Sequence, residues 1–146
     1  MKKKAAFIFI LSLLLMFSTG CKNVSIDSPD IEDNSWKMDS IVYFDDTQYE
    51  VLAVGESDSQ DPEAKVIDMI LTASDGRITL TDNTNGTVYE GTYKEERSNS
   101  ETTIYKIVLD GKEGYASVSS TVYADDTEVR TMPINLGNYA IYFFEA

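Results

Sequence analysis

Turn signals recur at short intervals from Trp36 to Glu145: Asp45-Asp46, Asp75-Gly76, Asn85-Gly86, the run from Asp110 to Gly114, Asp125-Asp126 and Gly137-Asn138. The runs between them alternate apolar with polar residues and are rich in Val, Ile, Thr and Tyr. Alternation with period two gives a strand one inward and one outward face, and Asp-Gly or Asn-Gly between two such runs closes a hairpin. So little chain between turns leaves room for strands and not for helices of ordinary length. The fold class is therefore all-β: an antiparallel up-and-down meander of about eight to nine strands, with one short helix.

Strands are expected over 36–44, 47–54, 68–73, 77–81, 87–94, 103–109, 115–124, 127–136 and 139–145. In the first, Trp36, Met38, Ser40, Val42 and Phe44 oppose Ile41 and Tyr43; in the second, Tyr49, Val51 and Ala53 share a face. The last carries Ile141 and Phe143 against Tyr142 and Phe144, the pattern of a strand covered on both faces. Pro133 has no amide to donate and belongs at an edge or a bulge; Gly91 marks a bulge or the close approach of a neighbouring backbone. Residues 61–73 read two ways. Asp61 can cap a helix with Pro62 in its first turn, and Val66, Ile67 and Ile70 follow at helical spacing, yet 69–74 leads straight into Asp75-Gly76. A short helix over 62–67 followed by a strand over 68–73 is favoured; one helix over 61–73 is the alternative.

Ahead of the strands, residues 2–21 read KKKAAFIFILSLLLMFSTGC. Three lysines, a short apolar run and small residues at a cut site form a secretory signal, and the run is shorter than the about 20 apolar residues that span a bilayer. Cys21 is the only cysteine, so no intrachain disulfide forms. The domain boundaries that follow are a leader over 1–20, an acidic tether over 21–35 that lacks apolar periodicity, and a β domain over 36–146. Three of the twelve basic residues lie in the leader, leaving nine against 25 acids and a formal balance of −16. Such a surface repels phosphate backbones and anionic lipid, which excludes nucleic acid as a partner. The absence of histidine removes the commonest general base and the commonest zinc ligand together. An enzyme is not expected, nor a cofactor or a metal.

The residues Ser18-Thr19-Gly20-Cys21 resemble the end of a bacterial lipobox, with Ser18 where an aliphatic residue usually stands. That resemblance implies that Cys21 is acylated, becomes the N-terminus, and is the lipid anchor to the extracytoplasmic face of the cell membrane. Further along come Trp36-x-Met38-x-x-Ile41, ASDG before ITL, EGTY over 90–93, Y-x-I-x-L-D-G from Tyr105 and Y-x-I-Y-F at the end. These resemble a family of small lipocalin-like bacterial lipoproteins, mostly Gram-positive. The resemblance covers residues 35–146 and implies a lipocalin-like barrel, which either fills its interior or holds one small ligand. The function expected is non-catalytic binding of a small apolar or amphipathic ligand or of a partner protein. The alternative is a structural or regulatory accessory subunit of an envelope complex. A wide apolar cavity favours a ligand; a filled interior with an exposed aromatic patch favours a partner.

One internal echo bears on the partner. Residues 42–47 read VYFDDT and residues 122–127 read VYADDT, each at a hairpin tip. Turn chemistry by itself accounts for such Asp pairs. In a strict nine-strand meander, however, the odd-numbered connections share one end. That end would gather Asp45, Asp46, Asp75, Glu95, Glu96, Asp125 and Asp126 into an acidic rim pointing away from the membrane, suited to a cationic surface protein or to loose Ca²⁺ binding. A helix over 61–73 would instead send the two tips to opposite ends. Residues 82–86, DNTNG, faintly resemble a calcium loop but carry Thr84 at the third place and Gly86 one place early, so a hairpin turn is expected there.

Overall fold

A computed structural model describes residues 28–56 and 63–146. It contains β1 (Trp36–Phe44), β2 (Tyr49–Val54), β3 (Met69–Ser74), β4 (Arg77–Asp82), β5 (Thr87–Ser98), β6 (Thr102–Leu109), β7 (Lys112–Val122), β8 (Glu128–Leu136) and β9 (Tyr139–Glu145). Strands β3 to β9 pair in sequence order, all antiparallel. β1 pairs with β9 along its length and with β3 at Trp36 and Lys37, which closes an eight-strand barrel and leaves β2 as an extra strand on β1. The all-β meander expected from alternation is the fold the chain adopts.

β2 and β3 share one edge of β1 and both run antiparallel to it, β2 against Ser40 to Phe44 and β3 against Trp36 and Lys37. Two successive strands thus point the same way. The chain between them passes beside the end of β2: the Val54 amide donates to the Lys65 carbonyl, the Ile67 amide donates to the Val54 carbonyl, and Val66 makes a parallel bridge to Val54. This extended path stands where the short helix over 62–67 was expected, and residues 61 and 62 lie outside the described residues. A helix of so few residues repays its nucleation poorly, whereas the extended path gains sheet hydrogen bonds and buries Ile67 in the core. Among the described residues there is no α-helix.

Bulges redirect the expected faces. The β1–β9 register shifts between Met38 and Ser40, so Trp36 and Met38 point inward and are followed by Ile41 and Tyr43, while Val42 and Phe44 turn outward. In the β1–β2 pair a second shift leaves Leu52 unpaired, so Ala53 is buried in the core while Tyr49 and Val51 face out. Pro133 is at neither an edge nor a bulge. It lies inside the closed sheet, paired with Tyr142 of β9, and the β7–β8 ladder skips the two positions at Met132 and Pro133 without changing register, because proline has no donor to give.

The core is packed from the end where β1 begins. Trp36, Phe143, Tyr105, Leu71, Ile107 and Met132 are all within two percent of full burial there. Residues 30–33 close this end and do not form a free tether. Ile31 is fully buried, its carbonyl accepts the Trp36 Nε1–H at 2.9 Å, and its amide donates to the Tyr105 hydroxyl at 3.2 Å. Tyr105 also donates to Asp30 Oδ1, Tyr93 donates to Glu32, and Arg130 Nη1 pairs with Asp33 Oδ2 at 2.8 Å. One apolar side chain among acids carries no periodicity, which is why this segment reads as a tether in sequence. The leader, Cys21 and the rest of the tether up to residue 27 lie outside the described residues.

Candidate functional site

The core fills the closed end and thins toward the other. At the far end an apolar cleft of about 210 Å³ opens to solvent. Ile41, Leu80, Leu109, Leu136 and Ile141 line it from the inward columns of their strands, with Met69 and Tyr89 beside them and Asp110 and Lys112 at its lip. Lys112 belongs to the inward column of β7, opposite Leu109, and the next member of that column is Gly114. It makes no ion pair among the described residues. Tyr43 and Tyr139 continue the wall outward, their rings 5.4 Å apart and edge-to-face. The site is thus an apolar pit with three tyrosines and one lysine near its mouth. A larger groove of about 530 Å³ sits at the closed end, but most residues that line it are polar or charged, and its Arg130 is already held by Asp33 and Glu128.

The four aspartates of the expected rim do not meet. Asp45 and Asp46 lie at the mouth end; Asp125 and Asp126 lie at the closed end with Asp75. The strand over 69–74 forms as expected, yet the tips separate, because β2 and β3 run in the same direction and the meander loses one reversal. Glu95 and Glu96 are in β5 and not in a turn. Local chemistry accounts for the repeated motif. Asp45 Oδ1 accepts the Thr47 amide at 2.7 Å and the Thr47 hydroxyl at 2.8 Å, and Asp125 Oδ1 accepts the Thr127 amide at 3.1 Å. Both are Asx turns. Asp82, nearly buried, accepts the Asn85 side-chain amide at 2.6 Å and its backbone amide at 3.0 Å, so DNTNG is a hairpin turn. Among the described residues no three carboxylates converge to hold a metal ion.

These contacts set the pH behaviour. Hydrogen bonds from Thr47, Asn85 and Thr127 hold Asp45, Asp82 and Asp125 below the usual carboxylate range, and the Ser120 hydroxyl and Arg130 do the same for Glu128. Burial, reinforced by the Asp30 carboxylate, pushes the Tyr105 phenol up. A lowered carboxylate adds stability above its unfolded value of about 4, and that stability is lost as pH falls through the lowered folded value. A raised phenol adds stability that is complete below about 10 and is lost as pH rises past it. The melting temperature should therefore decline below about pH 4 and again above about pH 10. Tyr105→Phe should have a shallower alkaline decline, read by thermal melts across pH; an unchanged alkaline slope would remove the assignment.

A strand expected from Tyr115 leaves Lys112 in a turn; the run from Asp110 to Gly114 holds the signal for the mouth, because Asp-Gly alone suffices for the hairpin and frees Lys112 to start β7. No family model matches the chain, and comparison with the curated proteins and with the solved structures likewise gives no match.

Proposed function

We propose that this chain is a lipid-anchored protein of the extracytoplasmic face of a bacterial membrane that binds a small apolar or amphipathic molecule, without catalysis, in the mouth of its barrel. The observation that supports this reading is the apolar cleft left where the core stops short of the open end. The cleft is small, at about 210 Å³. The buried part of the ligand is accordingly a short chain or a single ring. The chain enters the barrel at the closed end, beside Ile31, so an anchor at Cys21 would leave the mouth facing away from the membrane. The likeness of the strand motifs to small lipocalin-like lipoproteins agrees with this reading.

Two measurements test it. The Cys21→Ser chain should lack an acyl adduct by mass and leave the membrane fraction. Titrating that chain with octanol should shift the resonances of Ile41, Leu80, Leu109 and Leu136, and Leu136→Trp, which fills the cleft, should weaken the effect about tenfold, or ~1.4 kcal/mol. Octanol shifts that leave these four residues untouched would sink the mouth as a binding site.

A further inference from the structure

The outer face of β2, β1 and β9 is apolar. Phe44, Tyr49, Val51, Leu52, Tyr142 and Phe144 each keep between 37% and 72% of their surface exposed. Register joins them: Phe44 opposes Tyr49, Val42 opposes both Val51 and Ala140, Ser40 opposes Tyr142, and Lys37 opposes Phe144. Opposed residues share a face, so Phe44, Tyr49, Val51, Tyr142 and Phe144 lie on one face across three strands, around Val42 and Ala140, which are themselves buried there. Isolated exposed apolar residues are ordinary, whereas a contiguous patch marks an interaction site. The two-faced apolar pattern of β9 is therefore not that of a doubly covered strand: Ile141 and Phe143 are in the core, and Tyr142 and Phe144 belong to this patch.

β2 supplies an independent observation. The barrel closes without it. Among the described residues its edge away from β1 is engaged only at Val54, by Lys65, Val66 and Ile67. Positions 49–53 of that edge carry no proline and no lysine, and its protections are the bulge at Leu52 and the charge of Glu50. The charge nearby has one sign. Glu50 opposes Tyr43 and so lies on the face opposite to Tyr49 and Val51, and Asp45 and Asp46 form the adjoining hairpin tip. The neighbouring cation, Lys37, is already paired with Glu56 at 3.7 Å. A second copy would bring these acids against themselves on a chain of net charge −13.

We infer that β2 is a docking strand for an extended segment of another protein, one that alternates apolar residues with lysine or arginine. The segment adds to the free edge by main-chain hydrogen bonds. Its apolar side chains extend the patch begun by Tyr49 and Val51, and its basic side chains fall on the Glu50 face. The apolar face of β2 points away from the cleft, and only Glu50, opposite Tyr43, is on the mouth's side.

The full chain in lipid nanodiscs, titrated with fluorescein-labelled Lys-Val-Lys-Val-Lys-Val, tests this. The peptide should bind with a Kd below about 1 mM and slow hydrogen exchange across Tyr49 to Val54. Glu-Val-Glu-Val-Glu-Val, and a lysine peptide with proline at its central valine, should bind at least about tenfold more weakly. Glu50→Lys combined with Asp46→Lys should reverse the preference between lysine and glutamate peptides while octanol binding at the mouth is kept. Equal binding of the two charged peptides, protection confined to other strands, or no binding at about 1 mM would overturn the inference. Self-association of the unliganded chain through β2 would overturn it as well, by making the occupant a second copy.

Discussion

A chain trimmed to begin at Ser35 should be less stable than one beginning at Ser28 by about 2–5 kcal/mol, the range for losing a large buried aliphatic side chain. Ile31 is as buried as Trp36 and belongs to the same core cluster. Removing it opens a cavity beneath Trp36 and strips two buried groups of partners: the Trp36 indole N–H loses its acceptor, and the Tyr105 hydroxyl loses both the Ile31 amide and Asp30. Each unpaired buried polar group costs about 1–3 kcal/mol, less whatever water recovers. Urea unfolding of the two chains measures the difference. Ile31→Ala in the longer chain should account for most of it; equal midpoints for all three would show that residues 30–33 are not part of the domain. For a domain of this size each kcal/mol is worth about 2–8 °C in melting temperature, so a thermal melt will also resolve the effect.

Gly91→Ala and Gly114→Ala should each cost about 3 kcal/mol or more, at or beyond the upper end of ordinary overpacking. A Cβ on Gly91 would lie 2.1 Å from the Val108 carbonyl oxygen, and one on Gly114 would lie 2.0 Å from the Asn135 carbonyl oxygen. Both obstacles are backbone of the adjacent strand, so relief requires the ladder itself to move. Gly86→Ala is the control. That position has a φ of 69° but open space around it, so alanine there suffers only local strain of roughly 1–2 kcal/mol. Denaturant midpoints for the three variants decide the matter, and a Gly91→Ala chain no less stable than Gly86→Ala would contradict the packing. Of the two expectations for Gly91, close approach is the one realised: the β5 bulge falls further on, between Glu95 and Arg97.

Strand positions were legible because period-two alternation and Asp-Gly or Asn-Gly turns are local properties. β1 and β9 occupy the expected residues, and the other strands differ mainly at their ends. The path over 63–68 was not legible, since Val66 and Ile67 suit a helix turn and an extended bridge equally until Val54 is beside them. Nor was the mouth. Lys112 belongs to it only because β7 starts early, which puts Lys112 in the inward column opposite Leu109. The candidate acidic rim failed for a topological reason. Asp45 and Asp125 read alike because they make the same Asx turn, and that turn is blind to which end of the barrel it caps.

The sequence by itself determined an all-strand domain, its hairpin turns and its acidic surface, because each depends on residues close together in the chain. Tertiary structure alone decided three things: that β2 and β3 share an edge of β1, that Ile31 seals one end through a tyrosine 74 residues away, and that the mouth and the outer apolar face exist. The physical reason is that strand pairing is degenerate. Any two alternating segments can exchange backbone hydrogen bonds, and only closure of the barrel around a filled core selects which of them do.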